Sequence, residues 1–209
     1  MIPHQFGNLS NFQYLDLSGN YYYNSLLAEN LFWLSSLPLL EHLDLSYVNL
    51  SKASDWLLEI NTLPSLKVLK LAGCKLQHFP PLSIVNFSSL VTLDLHFNRV
   101  PLIPSWVFGL SHLHFLDMSD NYLQGPIPDG LQNLTSLIHL DLSWNSFNSS
   151  IPTWLYSLTH LQYLSLSGNN LQGMISGAIV NLTSIEHLIS RTITNLKEEF
   201  LDHLEDFVT

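Results

Sequence analysis

One register of the sequence reads Asp16, Asp44, Lys70, Asp94, Asp117, Asp141 and Ser165. Two carboxylates facing each other across a bond are the apparatus of glycoside hydrolysis. Carboxylates stacked on strands about 4.8 Å apart would also raise one another's pKa. A catalytic pair is singular, however, whereas here Leu-Asp-Leu recurs in copy after copy, as in a solvated ladder, so no catalytic residue and no enzymatic activity are expected. Ten histidines raise the question of a metal. His96 follows Asp94 by two residues on one strand face and His114 belongs to the next coil, but no His-x-x-x-His and no compact set of three ligands is present. Structural or surface histidine is the reading, with no metal and no cofactor. The single cysteine, Cys74, excludes an internal disulfide and a cysteine-based zinc site, and it reads as a small buried spacer. Phosphate loops, Gly-x-Ser-x-Gly and kinase signatures are absent from the sequence, so any signalling output has to come from another chain.

The bulk properties narrow the classes further. The chain has 209 residues, 46% hydrophobic and 11% charged, with a formal net charge of −10. Nucleic acid is a poor partner, because phosphate binding needs clustered cations. The richest apolar stretch, Leu26 to Leu40, is broken by Glu29, Asn30, Ser35 and Ser36, short of the roughly 18 uninterrupted residues that span a bilayer. The residues from Met1 to Gly7 lack the charged start and apolar core of a secretory signal. As written, the sequence is expected to carry neither an export signal nor an anchor.

What positions the Asp register is a repeat. The pattern Leu-x-x-Leu-x-Leu-x-x-Asn recurs at Phe12/Leu15/Leu17/Asn20, Leu40/Leu43/Leu45/Val48, Leu66/Leu69/Leu71/Cys74 and Leu90/Leu93/Leu95/Asn98. It continues at Leu113/Leu116/Met118/Asn121, Leu137/Leu140/Leu142/Asn145 and Leu161/Leu164/Leu166/Asn169. A worn eighth copy begins at Ile185 and Leu188 but has Ser190 in its third apolar slot. The Leu-x-Leu alternation has period two, so each copy contributes a short strand with one face inward. One such strand cannot bury its apolar face alone; stacked copies share a continuous core and a parallel sheet. Asn20, Asn98, Asn121, Asn145 and Asn169 stand where the chain leaves the sheet, placed to satisfy backbone groups between coils as an asparagine ladder.

The return half of each copy is patterned as well. The stretch from Leu123 to Leu131, with Ile127-Pro128, recurs from Phe147 to Leu155 with Ile151-Pro152, and more loosely from Val100 to Val107 and from Leu171 to Ile179. The Ile-Pro pair favours extended backbone ahead of a short helical turn. This combination of LxxLxLxxN with x-L-x-G-x-IP-xx-L at about 24 residues per unit resembles the plant-type leucine-rich repeat. The longer second and third units, with Leu40 to Leu50 and Ala53 to Leu57, look like the ectodomains of plant receptor-like proteins.

The resemblance implies an α/β repeat solenoid, a right-handed coil with a concave parallel β-sheet and convex turns or short helices. It also implies ligand recognition outside the cell in defence or developmental signalling, on the extracellular side of the plasma membrane, with a co-receptor kinase supplying the output. The array is expected over residues 1–189, and residues 190–209 form an acidic amphipathic helical or disordered tail, with Leu196, Phe200, Leu204 and Phe207 at helical spacing. Met1, Ile2 and Pro3 fall at the Ile-Pro position of a repeat with no cap ahead of them, which suggests a fragment, a truncated gene copy or an imperfect gene model. The alternatives are a soluble secreted inhibitor of a cell-wall-degrading enzyme and an inert truncated copy.

Two sets of site residues follow. One column across neighbouring strands runs Tyr14, His42, Val68, Thr92, Phe115, His139, Tyr163, His187; a second runs Gly19, Tyr47, Gly73, Phe97, Asp120, Trp144, Gly168. The rings among them (Tyr14, His42, Tyr47, Phe97, Phe115, His139, Trp144 and Tyr163) are the candidate anchors for a peptide, protein or glycan, because aromatic side chains dominate interface energies. Asn-x-Ser/Thr sequons stand at Asn8, Asn49, Asn86, Asn133, Asn148 and Asn181, and four of them (Asn8, Asn86, Asn133 and Asn181) precede the first apolar residue of a copy by four residues, placing them near the convex side.

Overall fold

The computed structural model describes residues 2–19, 26–82 and 84–190; Asn20 and the amphipathic pattern from Leu196 to Phe207 lie outside the described residues. Each copy of the repeat forms a strand of three residues. In chain order these are β1 (Tyr14–Asp16), β2 (His42–Asp44), β3 (Val68–Lys70), β4 (Thr92–Asp94) and β5 (Phe115–Asp117). After β6 (Gln124–Gly125) come β7 (His139–Asp141), β8 (Ser146–Phe147), β9 (Tyr163–Ser165) and β10 (His187–Ile189). All but β6 and β8 pair in parallel into one eight-stranded sheet, β1-β2-β3-β4-β5-β7-β9-β10, while β6 and β8 make a small second sheet along the return path. Equivalent residues of successive copies are paired: Leu43 with Leu69, Leu69 with Leu93, Leu93 with Leu116. The worn eighth copy still forms a strand, because pairing on β9 uses its backbone and asks nothing of the side chain at Ser190.

Three-residue strands have no stability alone; the core supplies it. Leu43, Leu69, Leu93, Leu116 and Leu140 are all fully buried and belong to one continuous hydrophobic spine. Burying each such side chain contributes on the order of 1.5–3 kcal/mol, so the sheet exists only because the copies stack. The return paths close the other side of that core. Ile103 and Ile127 turn inward, and Pro104, Pro128 and Pro152 hold extended backbone at the start of the 3-10 helices Ser105–Gly109, Asp129–Asn133 and Thr153–Ser157. The fixed proline φ suits that position, where its missing N–H costs nothing. The longer second unit, which begins at Leu40, uses its extra residues for α1 (Trp56–Ile60), which buries Trp56, Leu57 and Ile60.

The asparagines tie one coil to the next. Asn121 Nδ2 donates to the Leu95 carbonyl of the previous coil and to Met118 and Ser119 of its own, while its Oδ1 accepts from the Val100 N–H. Asn98, Asn145 and Asn169 repeat this arrangement, accepting from the N–H groups of Leu76, Leu123 and Phe147. All four are buried. Cys74 keeps part of the role: its thiol lies 3.0 Å from the Leu45 carbonyl of the previous coil. A thiol offers no amide oxygen, and the Leu50 N–H bonds the Cys74 backbone carbonyl instead.

Candidate functional site

The strand residues on either side of each core leucine face the concave surface. In the first column the register stacks Phe115 on His139 at 4.2 Å and 15°, and His139 on Tyr163 at 4.1 Å and 4°. Tyr14 and His42 stack likewise, at 4.1 Å and 18°. Val68 and Thr92 stand between the two stacks, so the predicted column is two platforms rather than one. The ring of Tyr163 is fixed further by a 3.3 Å bond from its hydroxyl to Asp141 Oδ2. Sandwiched between two rings, His139 loses hydration, which lowers its pKa below the ordinary histidine value and so favours the neutral imidazole.

The second column lies just past the strands, in a turn that requires left-handed backbone. Tyr47, Phe97, Asp120 and Trp144 have φ of 62°, 55°, 51° and 53°, and Gly73 and Gly168 have 63° and 66°. Left-handed backbone costs a non-glycine residue about 1–2 kcal/mol, so these three rings and the Asp120 carboxylate are held out at an energetic cost that the surrounding coils offset. Each glycine makes room for the ring of the coil before it. A Cβ at Gly168 would lie 2.9 Å from Trp144 Cδ2, and one at Gly73 would lie 2.5 Å from Tyr47 Cδ1. Trp144 and Tyr14 stay largely exposed, at 63% and 62%, and Phe97 is 43% exposed. The alternation of glycine and ring was visible in the sequence; the left-handed turn that explains it was not.

The Asp register differs from the solvated ladder expected of it. Asp44 is buried, and Asp94, Asp117 and Asp141 are half-buried. Their carboxylates hold the backbone, since Oδ1 of Asp16, Asp44, Asp94, Asp117 and Asp141 each accepts the N–H two residues on. That bond closes the tight turn into the second column. Asp16, exposed at the edge, has its pKa lowered by its hydrogen bonds to Ser18. Burial raises that of Asp117, with Asp94 and Asp141 adding to the effect.

Two residues after each of these positions the chain has Ser18, Ser46, Ala72, His96, Ser119, Ser143 and Ser167. Only His96 is large and basic. Its Nδ1 sits 2.8 Å from Asp94 Oδ1 and 3.9 Å from Asp117 Oδ2. The hydrogen bond to Asp94, together with the nearby carboxylates, raises its pKa above the ordinary value. Sequence reasoning paired His96 with Asp94 and His114; the partner across the sheet is Asp117, since β4 and β5 place it opposite Asp94, while His114 lies exposed one residue ahead of β5. The repeat alignment alone contained that signal. Cys74 is fully buried, and burial pushes its thiol pKa far up, away from the reactive thiolate.

Among the sequons, Asn8, Asn133 and Asn181 each end a convex 3-10 helix and are exposed. Asn148, just past β8, is also exposed. Asn86 is exposed but its Nδ2 donates to the Asn61 carbonyl at 3.1 Å, and Asn49 is half-buried with its Oδ1 accepting from Ser51. No helix among the described residues is long and apolar enough to cross a membrane.

Known proteins share this architecture. A family model described as a leucine-rich repeat region matches residues 24–189. Receptor-like protein EIX1 of Solanum lycopersicum is 40% identical over 152 residues, which is 69% of this chain and 14% of that protein. Receptor-like protein 47 of Arabidopsis thaliana is 31% identical over 153 residues, 69% of this chain and 18% of the relative. This chain thus spans under a fifth of the length of these relatives. Among solved structures, the ectodomain of the Arabidopsis receptor kinase HAESA, in complex with the peptide hormone IDA and the co-receptor SERK1, superposes with a TM-score of 0.76 at 31% identity, covering 90% of this chain and 31% of that one. The repeat, its asparagine ladder and these likenesses agree, and the chain belongs to the leucine-rich repeat family.

Proposed function

We propose that this chain is a ligand-recognition segment of an extracellular plant receptor-like protein acting in defence or developmental signalling, and that a peptide or protein ligand docks on its concave face. The observation that supports this reading most is the fixed aromatic surface: the Phe115–His139–Tyr163 stack with the projecting rings of Phe97 and Trp144 beside it. Rings already locked by stacking lose little conformational freedom on contact, so more of their burial energy appears as affinity. The half-buried Asp117 and Asp141, between the two columns, favour a ligand that brings cationic side chains. The HAESA complex holds both a peptide hormone and a co-receptor, which supports a co-receptor kinase as the source of output here too. Glycans at Asn8, Asn133, Asn148 and Asn181 would occupy exposed positions away from these rings, and glycopeptide mass spectrometry of the plant-expressed chain tests that assignment.

Panning a random peptide library against the purified chain tests the recognition surface. Enriched peptides are expected to lose at least tenfold in affinity with Tyr163→Ala and Trp144→Ala, and to be indifferent to Val180→Ala on the convex side. Failure to enrich any peptide, or equal sensitivity to the convex substitution, would overturn the reading. Enriched sequences without Lys or Arg would remove the charge argument. The same assay addresses the alternative of a secreted enzyme inhibitor, for which basic cell-wall-degrading enzymes would compete with the peptides.

A further inference from the structure

We propose that Asp94, His96 and Asp117 form a divalent transition-metal site, best suited to Zn²⁺, on the sheet surface between β4 and β5. The geometry comes first. Asp94 and Asp117 are register partners on adjacent strands, and His96 reaches between them from the turn that follows β4. One donor atom from each residue lies within 4.8 Å of the other two. Tetrahedral zinc with bonds of about 2.1 Å places its donors about 3.4 Å apart, and the separations of His96 Nδ1 from the two carboxylates, 2.8 and 3.9 Å, lie on either side of that value. Small side-chain rotations that open the first separation and close the second bring His96 Nδ1 to that spacing from both carboxylates, whose donor oxygens lie within 4.8 Å of each other.

The repeat itself provides the internal control. Five coils carry an Asp at this register, and all use it to close the same turn; that repetition is structural. The position two residues on is serine or alanine in every described coil except the fourth, where it is His96. A single imidazole has therefore been set into an otherwise uniform column, at a place where two half-buried carboxylates face it. The carboxylates are also oriented from behind. Asp117 Oδ1 is held by the Ser119 N–H at 2.9 Å and the Ser119 hydroxyl at 2.7 Å, which leaves Oδ2 turned to His96. Supporting hydrogen bonds of this kind fix ligand orientation in metal sites.

Donor chemistry selects the ion. One imidazole nitrogen with two carboxylate oxygens suits zinc; calcium requires six to eight oxygens, and magnesium retains its water in preference to imidazole. Three protein ligands leave a fourth position open toward the concave face, available to water or to a carboxylate of a docking partner. Binding replaces the His96 Nδ1 proton that bonds Asp94: from the imidazolium that proton is released to solvent, and from the neutral ring it is exchanged through solvent to Nε2, so the metal-bound imidazole stays neutral. The cation would also relieve the repulsion between the two carboxylates. The site shares the concave face with the aromatic columns but does not depend on peptide recognition.

The test is isothermal titration of the full, tag-free chain with ZnCl₂ in a non-coordinating buffer, with Mg²⁺ as the contrasting ion. Saturable one-to-one binding is expected, weakened at least tenfold by Asp117→Asn and by His96→Phe and unchanged within twofold by substituting the exposed turn histidines outside the site, His112→Ala together with His160→Ala. Circular dichroism checks that the variants retain the fold. Zinc-edge anomalous scattering from soaked crystals, which reads position directly, is expected to place the ion within bonding distance of all three side chains. Absence of saturable binding, binding that survives Asp117→Asn and His96→Phe together, or anomalous density elsewhere would each overturn the assignment. Loss of zinc binding in a variant that still binds peptide would separate this site from the recognition surface.

Discussion

Replacing Asn98 with alanine should destabilise the protein more than the same change at Asn145, although both asparagines are buried and make equivalent bonds. At Asn145 the three carbonyls that receive Nδ2 each have a second partner: Met118 from Asn121, Leu142 from Asn169, and Ser143 from the Asp120 N–H. Asn145→Ala thus strands one group, the Leu123 N–H. At Asn98 the Leu95 and His96 carbonyls are covered in the same way, by Asn121 and by the Gly73 N–H. The Leu71 carbonyl is not. Its own coil has Cys74 in the ladder position, and that thiol points to Leu45 and Ala72, so Asn98 is the partner Leu71 has among the described residues. Asn98→Ala therefore strands both the Leu76 N–H and the Leu71 carbonyl. A buried orphan costs about 1–3 kcal/mol, which gives about 1–3 kcal/mol for Asn145→Ala and about 2–6 kcal/mol for Asn98→Ala. Equilibrium urea unfolding followed by far-ultraviolet circular dichroism measures both. A penalty at Asn98 no larger than that at Asn145 would mean that the Leu71 carbonyl does not set the difference. The cause can be isolated by a double-mutant cycle, because Cys74→Asn should restore a second donor to Leu71 and narrow the gap.

Other consequences are as direct. Gly168→Ala should cost about 1–2 kcal/mol from the left-handed backbone alone, plus a steric part that Trp144→Ala relieves, as read from the same unfolding curves. Lowered pKa at His139 means that the folded state resists its protonation: its contribution is complete above the unfolded histidine pKa of about 6.5 and is lost as pH falls below it toward the folded value. His139→Phe keeps a ring in the stack, so its melting temperature should fall less than that of the parent between pH 7.5 and pH 5.5; an equal fall would count against the sandwich. Cys74, fully buried with its thiol pKa raised, should not react with a thiol-specific disulfide reagent until the protein unfolds. Labelling in native buffer at the rate of a free thiol would contradict that placement.

The architecture was legible in the order of residues alone. A leucine every second residue, repeated about every 24 residues, admits one economical solution, in which each strand buries its apolar face against the next. Because register in a solenoid is one-to-one, the pairing of Tyr14 with His42, of His139 with Tyr163 and of Asp94 with Asp117 followed from alignment of the copies. Side-chain partnership did not. Whether an aspartate faces water or closes a turn depends on where the backbone bends after the strand, and that bend is left-handed at Tyr47, Phe97, Asp120 and Trp144, a conformation that residue type disfavours and only the packed coils enforce. The same holds for His96: its spacing from Asp94 was legible, but the approach of Asp117 within 3.9 Å arises from the distance between coils. Periodicity is a property of the chain, whereas proximity across coils is created by stacking, and the candidate site consists of the latter.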